Sequence, residues 1–148
     1  MISDTHGLLR PEAVRALGGV DVVLHAGDIG SAELLTELEK IAPVVAVRGN
    51  TDYARWASQV PQTRVVEAGT TRLYLLHDLH DLDVNPDVVG VSGVIAGHSH
   101  RPKIERRSGV LYFNPGSAGP RRFSLPVSVG RIRVTGSELV PELITLDV

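Results

Sequence analysis

The sequence predicts an α/β fold, a four-layer α/β/β/α sandwich of two mixed β-sheets flanked by helices. Two observations carry this. Up to about Gly97, apolar strand-like runs alternate with helical patterns, whereas from about Pro102 short strands follow one another across tight turns. Polar residues also cluster just after the apolar runs, where open α/β sheets place their ligands. No repeat, low-complexity tract or Pro/Gly/Ser-rich linker divides the 148 residues, so 1–148 reads as a single domain.

The elements follow in order. Met1-Ile2 is all that precedes the first polar loop, against a mean strand of ~5–6 residues, so the first strand is a stub or continues upstream of Met1. A helix starts near Pro11 and ends at Gly18-Gly19. Val20–His25 and Val44–Arg48 are near-continuous apolar runs, which suit strands buried on both faces of a parallel sheet. Between them Ser31 caps a helix that turns Leu34, Leu35, Leu38 and Ile41 to one face and stops at Pro43, completing a βαβ unit. Three hairpins follow: Arg64–Ala68 with Arg72–His77, Ile104–Arg107 with Val110–Phe113, and Gly130–Val134 with Leu139–Leu146.

Composition narrows function by exclusion. A net charge of -2, with 22% charged and 43% hydrophobic residues, is neither a disordered tail nor a nucleic-acid footprint, so long nucleic acid is not the expected partner. No run approaches the ~20 apolar residues of a membrane span, and Met1-Ile2-Ser3-Asp4 lacks the regions of a signal peptide, so the expectation is a cytoplasmic protein without a membrane partner. With no Cys, thiolate catalysis, disulfides and Cys-ligated metals are excluded, which leaves any metal to His, Asp, Asn and Glu.

Five polar loops supply that chemistry. Asp4-Thr5-His6-Gly7 follows the stub; Gly27-Asp28 and Gly49-Asn50-Thr51-Asp52 follow the two apolar runs. His77 ends Leu73-Tyr74-Leu75-Leu76, and Gly97-His98-Ser99-His100 follows Val94-Ile95-Ala96, where an extended backbone would turn both imidazoles of His98 and His100 to one side. Each loop alone reads as a solvated turn, a helix cap or a hydrogen-bonded strand end. Together they offer carboxylate, amide oxygen and imidazole, enough for two cations of the Mn²⁺, Fe, Zn²⁺ or Ni²⁺ type rather than Ca²⁺.

Ser3-Asp4-Thr5-His6-Gly7, His25-Ala26-Gly27-Asp28, Gly49-Asn50-Thr51-Asp52, His77, Gly97-His98-Ser99-His100 and Asn114-Pro115-Gly116-Ser117 stand in the order of the calcineurin-like metallophosphoesterases. The chain resembles their small bacterial and archaeal phosphodiesterase branch from residue 3 to 121, with Pro120-Arg121 closing the last motif. The resemblance implies two divalent ions, Mn²⁺ first among them: Asp4, His6 and His100 on one, Asn50, His77 and His98 on the other, and Asp28 bridging. It further implies a phosphodiesterase acting on a small molecule or nucleotide by in-line attack of a metal-bridging hydroxide, with the ions ~3.5–4 Å apart. Asp28, Asn50, His98 and Thr51 are its catalytic candidates, and Asn50, Thr51 and Arg101 its substrate contacts. The alternatives are a catalytically weak protein-binding scaffold, as the retromer subunit of this fold is, or a nuclease acting on single strands. Homo-oligomerisation is a family-based expectation only.

Two departures bear on mechanism. Thr51 stands where many relatives carry a His and the small branch commonly a Cys; it can bond phosphate but supplies no proton at neutral pH. Leaving-group protonation then falls to a metal-bound water, to His25 or His80, or to nothing. The second departure is His77-Asp78-Leu79-His80-Asp81, where relatives often read His-Gly-His; Asp78, Asp81, Asp83 and Asp87 are expected to form a solvated acidic loop. Arg101 and Arg121 are phosphate-binding candidates, Arg122 a surface residue. Asn114–Ser117 reads equally as a structural turn or a substrate loop, and Tyr53 and Trp56 are expected to pack rather than to stack on a base.

Overall fold

Apolar runs that end in Gly and polar residues make short buried strands, and the computed structural model, which describes residues 1–148, shows two sheets built from them. β1 (Val23–His25) and β2 (Val44–Ala46) pair in parallel through α2 (Ala32–Glu39), whose Ser31 hydroxyl accepts the Leu34 N–H at 3.3 Å. Both strands are shorter than the apolar runs that announce them. Val22 is 37% exposed at the open end of β1, and Arg48 gives its N–H to the Pro61 carbonyl instead of to a neighbouring strand.

Met1-Ile2 extends this sheet by very little. Ile2 makes one parallel bridge to His25, while Met1 exchanges two backbone hydrogen bonds with Gly130 of β8 (Ser128–Thr135), at 2.6 and 2.9 Å. β8 pairs with β9 (Glu138–Thr145) as the last hairpin. The strand order across this layer is therefore β2, β1, Met1-Ile2, β8, β9.

The second sheet has the order β3 (Thr63–Ala68), β4 (Thr71–Leu76), β5 (Gly93–Ile95), β7 (Val110–Asn114), β6 (Lys103–Arg107). β4, β5 and β7 run parallel, with antiparallel β3 and β6 at the edges, so the sheet is mixed, as expected. The pleat sends Leu73, Leu75, Ile95, Leu111 and Phe113 inward onto Met1, Leu24, Val47 and Leu139, and Tyr74, Leu76, Val94 and Tyr112 to the other face.

Ala13 of α1 (Pro11–Ala16), Leu17 just beyond it, and Leu34 and Leu38 of α2 cover the first sheet from outside, over Ile2, Val23, Val127 and Val129. The outer layer on the second sheet is thin, limited to the 3₁₀ turn Leu79–Asp81 and the four-residue α3 (Pro86–Val89). Each Leu or Val buried from water contributes roughly 1.5–3 kcal/mol to folding. No helix is long and apolar enough to cross a membrane. Ile2, β1, β2, β4, β5 and β7 all deliver their chain into loops at one end of the two sheets, and there the five polar motifs meet.

Candidate metal centre

Backbone conformation, not strand alternation, aims the side chains. Seven non-glycine residues have positive φ, and five of them are Asp4 (54°), His6 (45°), Asp28 (53°), His98 (66°) and His100 (58°). Left-handed backbone costs an L-residue roughly 1–2 kcal/mol, and such strain concentrates where a side chain must be held against local preference. The expectation that an extended backbone turns His98 and His100 to one side is thereby corrected. His98 reaches toward Asn50 and Asp78, and the buried His100 lies against Asp4 and stacks on His6 with ring centroids 5.5 Å apart.

One half of the cluster is Asp4, His6 and His100, whose ligand atoms lie within 4.8 Å of one another. Asp4 is fully buried; its Oδ2 accepts from Ser3 Oγ (2.7 Å) and from the His98 N–H (3.1 Å), while Oδ1 has no hydrogen-bond donor and faces His100 Nε2 at 3.3 Å. His6 Nε2 is likewise buried and without a hydrogen bond.

The other half is held by Asp28, His77, Asn50 and His98. His77 donates from Nδ1 to the Ala26 carbonyl (2.7 Å), so its Nε2 points at Asn50 Oδ1 (3.1 Å) and Asp28 Oδ2 (3.4 Å). His98 Nδ1 stands 3.2 Å from the same Asn50 oxygen. Asp28 Oδ2 is shared between the halves, 3.4 Å from His77 Nε2 and 3.7 Å from His6 Nε2, while its Oδ1 accepts the Thr51 N–H at 3.0 Å. Burial raises the Asp28 pKa, but His77 and the Thr51 N–H outweigh it and hold the carboxyl well below its usual range. For His77 burial lowers the pKa, yet the Asp28 carboxylate outweighs that and the net shift is upward.

These donors fit a cation. Lone pairs from two carboxylates, one amide oxygen and imidazole nitrogens converge, and Asp4 Oδ1 and His6 Nε2 are buried with nothing to accept from. A buried polar atom without a partner costs about 1–3 kcal/mol, which a divalent ion bound by oxygen and nitrogen would remove.

The surrounding loops are tied together by residues whose role the sequence does not announce. Asp52, 5% exposed, accepts the Ile29 (3.0 Å), Gly30 (3.0 Å) and Gly49 (2.8 Å) N–H groups, locking the Asp28 loop to the Asn50 loop. Its position three residues after Gly49 is the only hint. Gly27 is required by close approach: at φ 92°, a Cβ there would come within 2.6 Å of His77 Nδ1. Asn114 donates to the Gly97 carbonyl (2.8 Å) and to Ser99 Oγ (3.0 Å), and Ser117 Oγ donates to the Asp4 carbonyl (3.0 Å). That last motif braces the histidine loop.

The structure places the remaining candidates. His25 is no proton donor to the site. Thr5 Oγ1 donates to the Ile29 carbonyl and so accepts from His25 Nε2 (2.9 Å), while His25 Nδ1 accepts the Gly27 N–H (3.2 Å); burial lowers its pKa to about 4. His80 projects into solvent and bonds Asp78 Oδ1. Asp78 itself is not merely solvated, since its Oδ2 lies 3.5 Å from His98 Nε2. Asp78, Asp81 and Asp83 border a cleft of about 730 Å³ with Arg48, Asn50 and His98. Thr51 and Arg101 are exposed beside the cluster, and Arg121 donates to the Val148 carbonyl. Trp56 packs on the helical core, but Tyr53 is 89% exposed and does not pack.

Comparison with known proteins decides the family. The model of the calcineurin-like phosphoesterase superfamily domain matches residues 1–137. The chain belongs to this superfamily. A probable metallophosphoesterase of Methanothermobacter thermautotrophicus is 37% identical over 156 residues, covering 97% of this chain and 90% of that protein. The probable metallophosphoesterase YsnB of Bacillus subtilis is 31% identical, covering 79% and 72%. Among solved structures, vacuolar protein sorting 29 from Cryptosporidium parvum superposes with TM-score 0.83 at 22% identity over 98% of this chain and 89% of that one. The phosphoesterase YfcE of Escherichia coli superposes with TM-score 0.64 at 22% identity over 99% and 97%. The calcineurin-like fold implies divalent metal ions, and phosphoester hydrolysis is the activity of the superfamily's enzymes.

Proposed function

We propose that the chain is a binuclear metal-dependent phosphodiesterase. The observation that carries the reading is the position of Asp28 Oδ2 between His6 and His77, with Asp4 and His100 on one side and Asn50 and His98 on the other. Asp4, His6 and His100 would hold one cation, Asn50, His77 and His98 the second, and Asp28 both. Mn²⁺ leads, with Fe, Zn²⁺ or Ni²⁺ as substitutes; a solved relative of this fold, Vps29 from Entamoeba histolytica, is complexed with zinc. Two such ions acidify water to a nucleophile at neutral pH and offset charge on the phosphoryl oxygens.

The chain's own groups prepare that site. Asp28 stays ionised because His77 and the Thr51 N–H stabilise its charge. Asn50 would hold an ion through its Oδ1, which already faces His77 and His98, and would offer its amide N–H to substrate; the Thr51 hydroxyl and the Arg101 guanidinium would donate to phosphate oxygens. His98, more exposed on the cleft wall than His77, is the candidate catalytic imidazole. His25 is engaged at both ring nitrogens and His80 faces solvent, so neither delivers a proton to a leaving alkoxide. That leaves a metal-bound water or no acid at all, and in the latter case diesters with acidic leaving groups are the favoured substrates; small molecules or nucleotides rank ahead of long single strands, since the formal charge of -2 provides no broad basic groove.

The test is hydrolysis of bis(p-nitrophenyl) phosphate against p-nitrophenyl phosphate with Mn²⁺ added, alongside elemental analysis. About two ions per chain, diester turnover above monoester turnover, and loss of turnover in a folded Asp28→Asn variant are expected. Less than one ion per chain after supplementation sinks the reading and leaves the protein-binding scaffold suggested by the Vps29 fold, whereas activity retained in Asp28→Asn sinks the bridging role of Asp28.

A further inference from the structure

The cleft that opens beside the metal centre holds charges of both signs that do not meet. Asn50, His77 and His98 border it, and it extends between the chain that leads into β3 and the loop that follows β4, with a volume of about 730 Å³. Pockets of about 300–1,000 Å³ take a small organic ligand. Arg48 lines the cleft from the first sheet. It follows β2, its N–H is tied to the Pro61 carbonyl, and its half-buried guanidinium makes neither a hydrogen bond nor an ion pair. Asp81 and Asp83 line it from the loop after β4, where the Asp81 and Leu82 N–H groups are held by the Asp78 and Leu79 carbonyls. Their exposed carboxylates are also unpaired, whereas Asp78 is engaged by His80 and His98. Tyr74 and Leu76, which share the outer face of the second sheet, supply the apolar part of the lining.

Unpaired opposite charges around one space restrict what fills it. An anionic arm is drawn to Arg48 but repelled by Asp81 and Asp83, and a cationic arm meets the reverse conflict. A neutral, flat group with acceptors on one edge and donors on another satisfies both. We propose that the cleft is the seat of a guanine base, carried on one arm of a phosphodiester whose phosphate lies at the metal centre. The Arg48 guanidinium forks onto O6 and N7. A carboxylate from Asp81 or Asp83 accepts from N1–H and the N2 amino group, and the ring lies against Tyr74.

The other bases match these groups less well. Adenine offers N7 but no carbonyl oxygen for the second prong of the guanidinium fork. Cytosine carries its amino donor and its acceptors along a single edge, so it cannot meet Arg48 and the Asp81–Asp83 loop on separate sides of the cleft. Uracil has one N–H between two carbonyls, which leaves one carboxylate oxygen without a donor. The link between base and metal centre rests on the diesterase reading given above; recognition of the base by Arg48, Asp81 and Asp83 does not.

Two measurements test this. The Zn²⁺-loaded chain is titrated with GMP, IMP, AMP, CMP and UMP and followed by amide NMR, and kcat/KM is measured with Mn²⁺ on the p-nitrophenyl esters of the same nucleotides, which share one leaving group. GMP should bind at least about tenfold more tightly than AMP, CMP or UMP and shift the Arg48, Asp81 and Asp83 amides, with IMP, which lacks the N2 amino group, in between. The esters should follow the same order. Arg48→Gln and the double variant Asp81→Asn/Asp83→Asn should each bring the guanine-to-adenine ratio close to one, a ratio that loss of metal leaves alone because it lowers both members alike. Preferred binding of GMP without turnover of any ester would sink the diesterase reading and uphold the guanine seat. Binding without preference for GMP, no binding of any nucleotide, or a preference that survives both variants overturns the proposal.

Discussion

His77 gives its Nδ1 proton to the Ala26 carbonyl at 2.7 Å, and that one bond decides which nitrogen faces Asn50 and Asp28. The carbonyl belongs to the loop that carries Asp28, so the imidazole from the second sheet is oriented by the first. Ligand histidines are commonly held through their other nitrogen in this way. His77→Ala is expected to lower bound metal from about two ions to about one per chain, measured by elemental analysis. Unchanged stoichiometry would remove His77 from the ligand set.

Asp78 stands in the same relation to His98, with Oδ2 3.5 Å from Nε2 while Nδ1 faces Asn50. Asp78→Asn keeps the shape and removes the charge. It should weaken the ion on the Asn50 side by roughly 10-fold and leave the Asp4 side unaffected, read as one displaced transition in a Mn²⁺ titration. Two unshifted transitions would return Asp78 to the solvent.

Asp52 is a structural prediction. One buried carboxylate satisfies three backbone amides from two loops. Bonds to a charged acceptor contribute about 1.5–3 kcal/mol each, less than additively, so Asp52→Ala should destabilise by at least about 3 kcal/mol in denaturant unfolding and lose metal with the loops. A loss below about 1 kcal/mol would show that the loops hold each other by other means.

His25 sets a pH dependence. Its pKa is lowered to about 4 by burial, against about 6.5 in an unfolded chain. Between those values the unfolded state binds more protons, so stability is full above about pH 6.5 and falls as the pH drops toward 4, by up to about 3 kcal/mol. His77 shifts upward and Asp28 downward, so their contributions run differently. The difference between wild type and His25→Asn in metal-free urea unfolding isolates His25: it should shrink as the pH falls from 7 to 4. A difference that is constant across the range would mean that His25 charges in place.

Much of this protein is legible along the chain. The Ser31 cap, the βαβ unit and the three hairpins stand where apolar rhythm and turn residues put them, because these are local preferences. His77 could be singled out because an imidazole directly after Leu73–Leu76 sits at a strand end. Asp52 could not, because its partners Ile29 and Gly30 are more than twenty residues away and a local turn reads the same on paper. The acidic run was legible as charge, but Asp78 and Asp83 differ only in which one the fold brings to His98.

By itself the sequence determined the donor types, the order of the motifs and the layers that carry them, since periodicity and composition are properties of the chain. Which nitrogen of His77 faces inward, that Asp28 lies between His6 and His77, and that His25 is shut away from the cluster were decided only by tertiary structure. The physical reason is that coordination geometry and desolvation depend on groups from both sheets. Those groups acquire distances, and hence energies, only once the left-handed turns at Asp4, His6, Asp28, His98 and His100 are closed against one another.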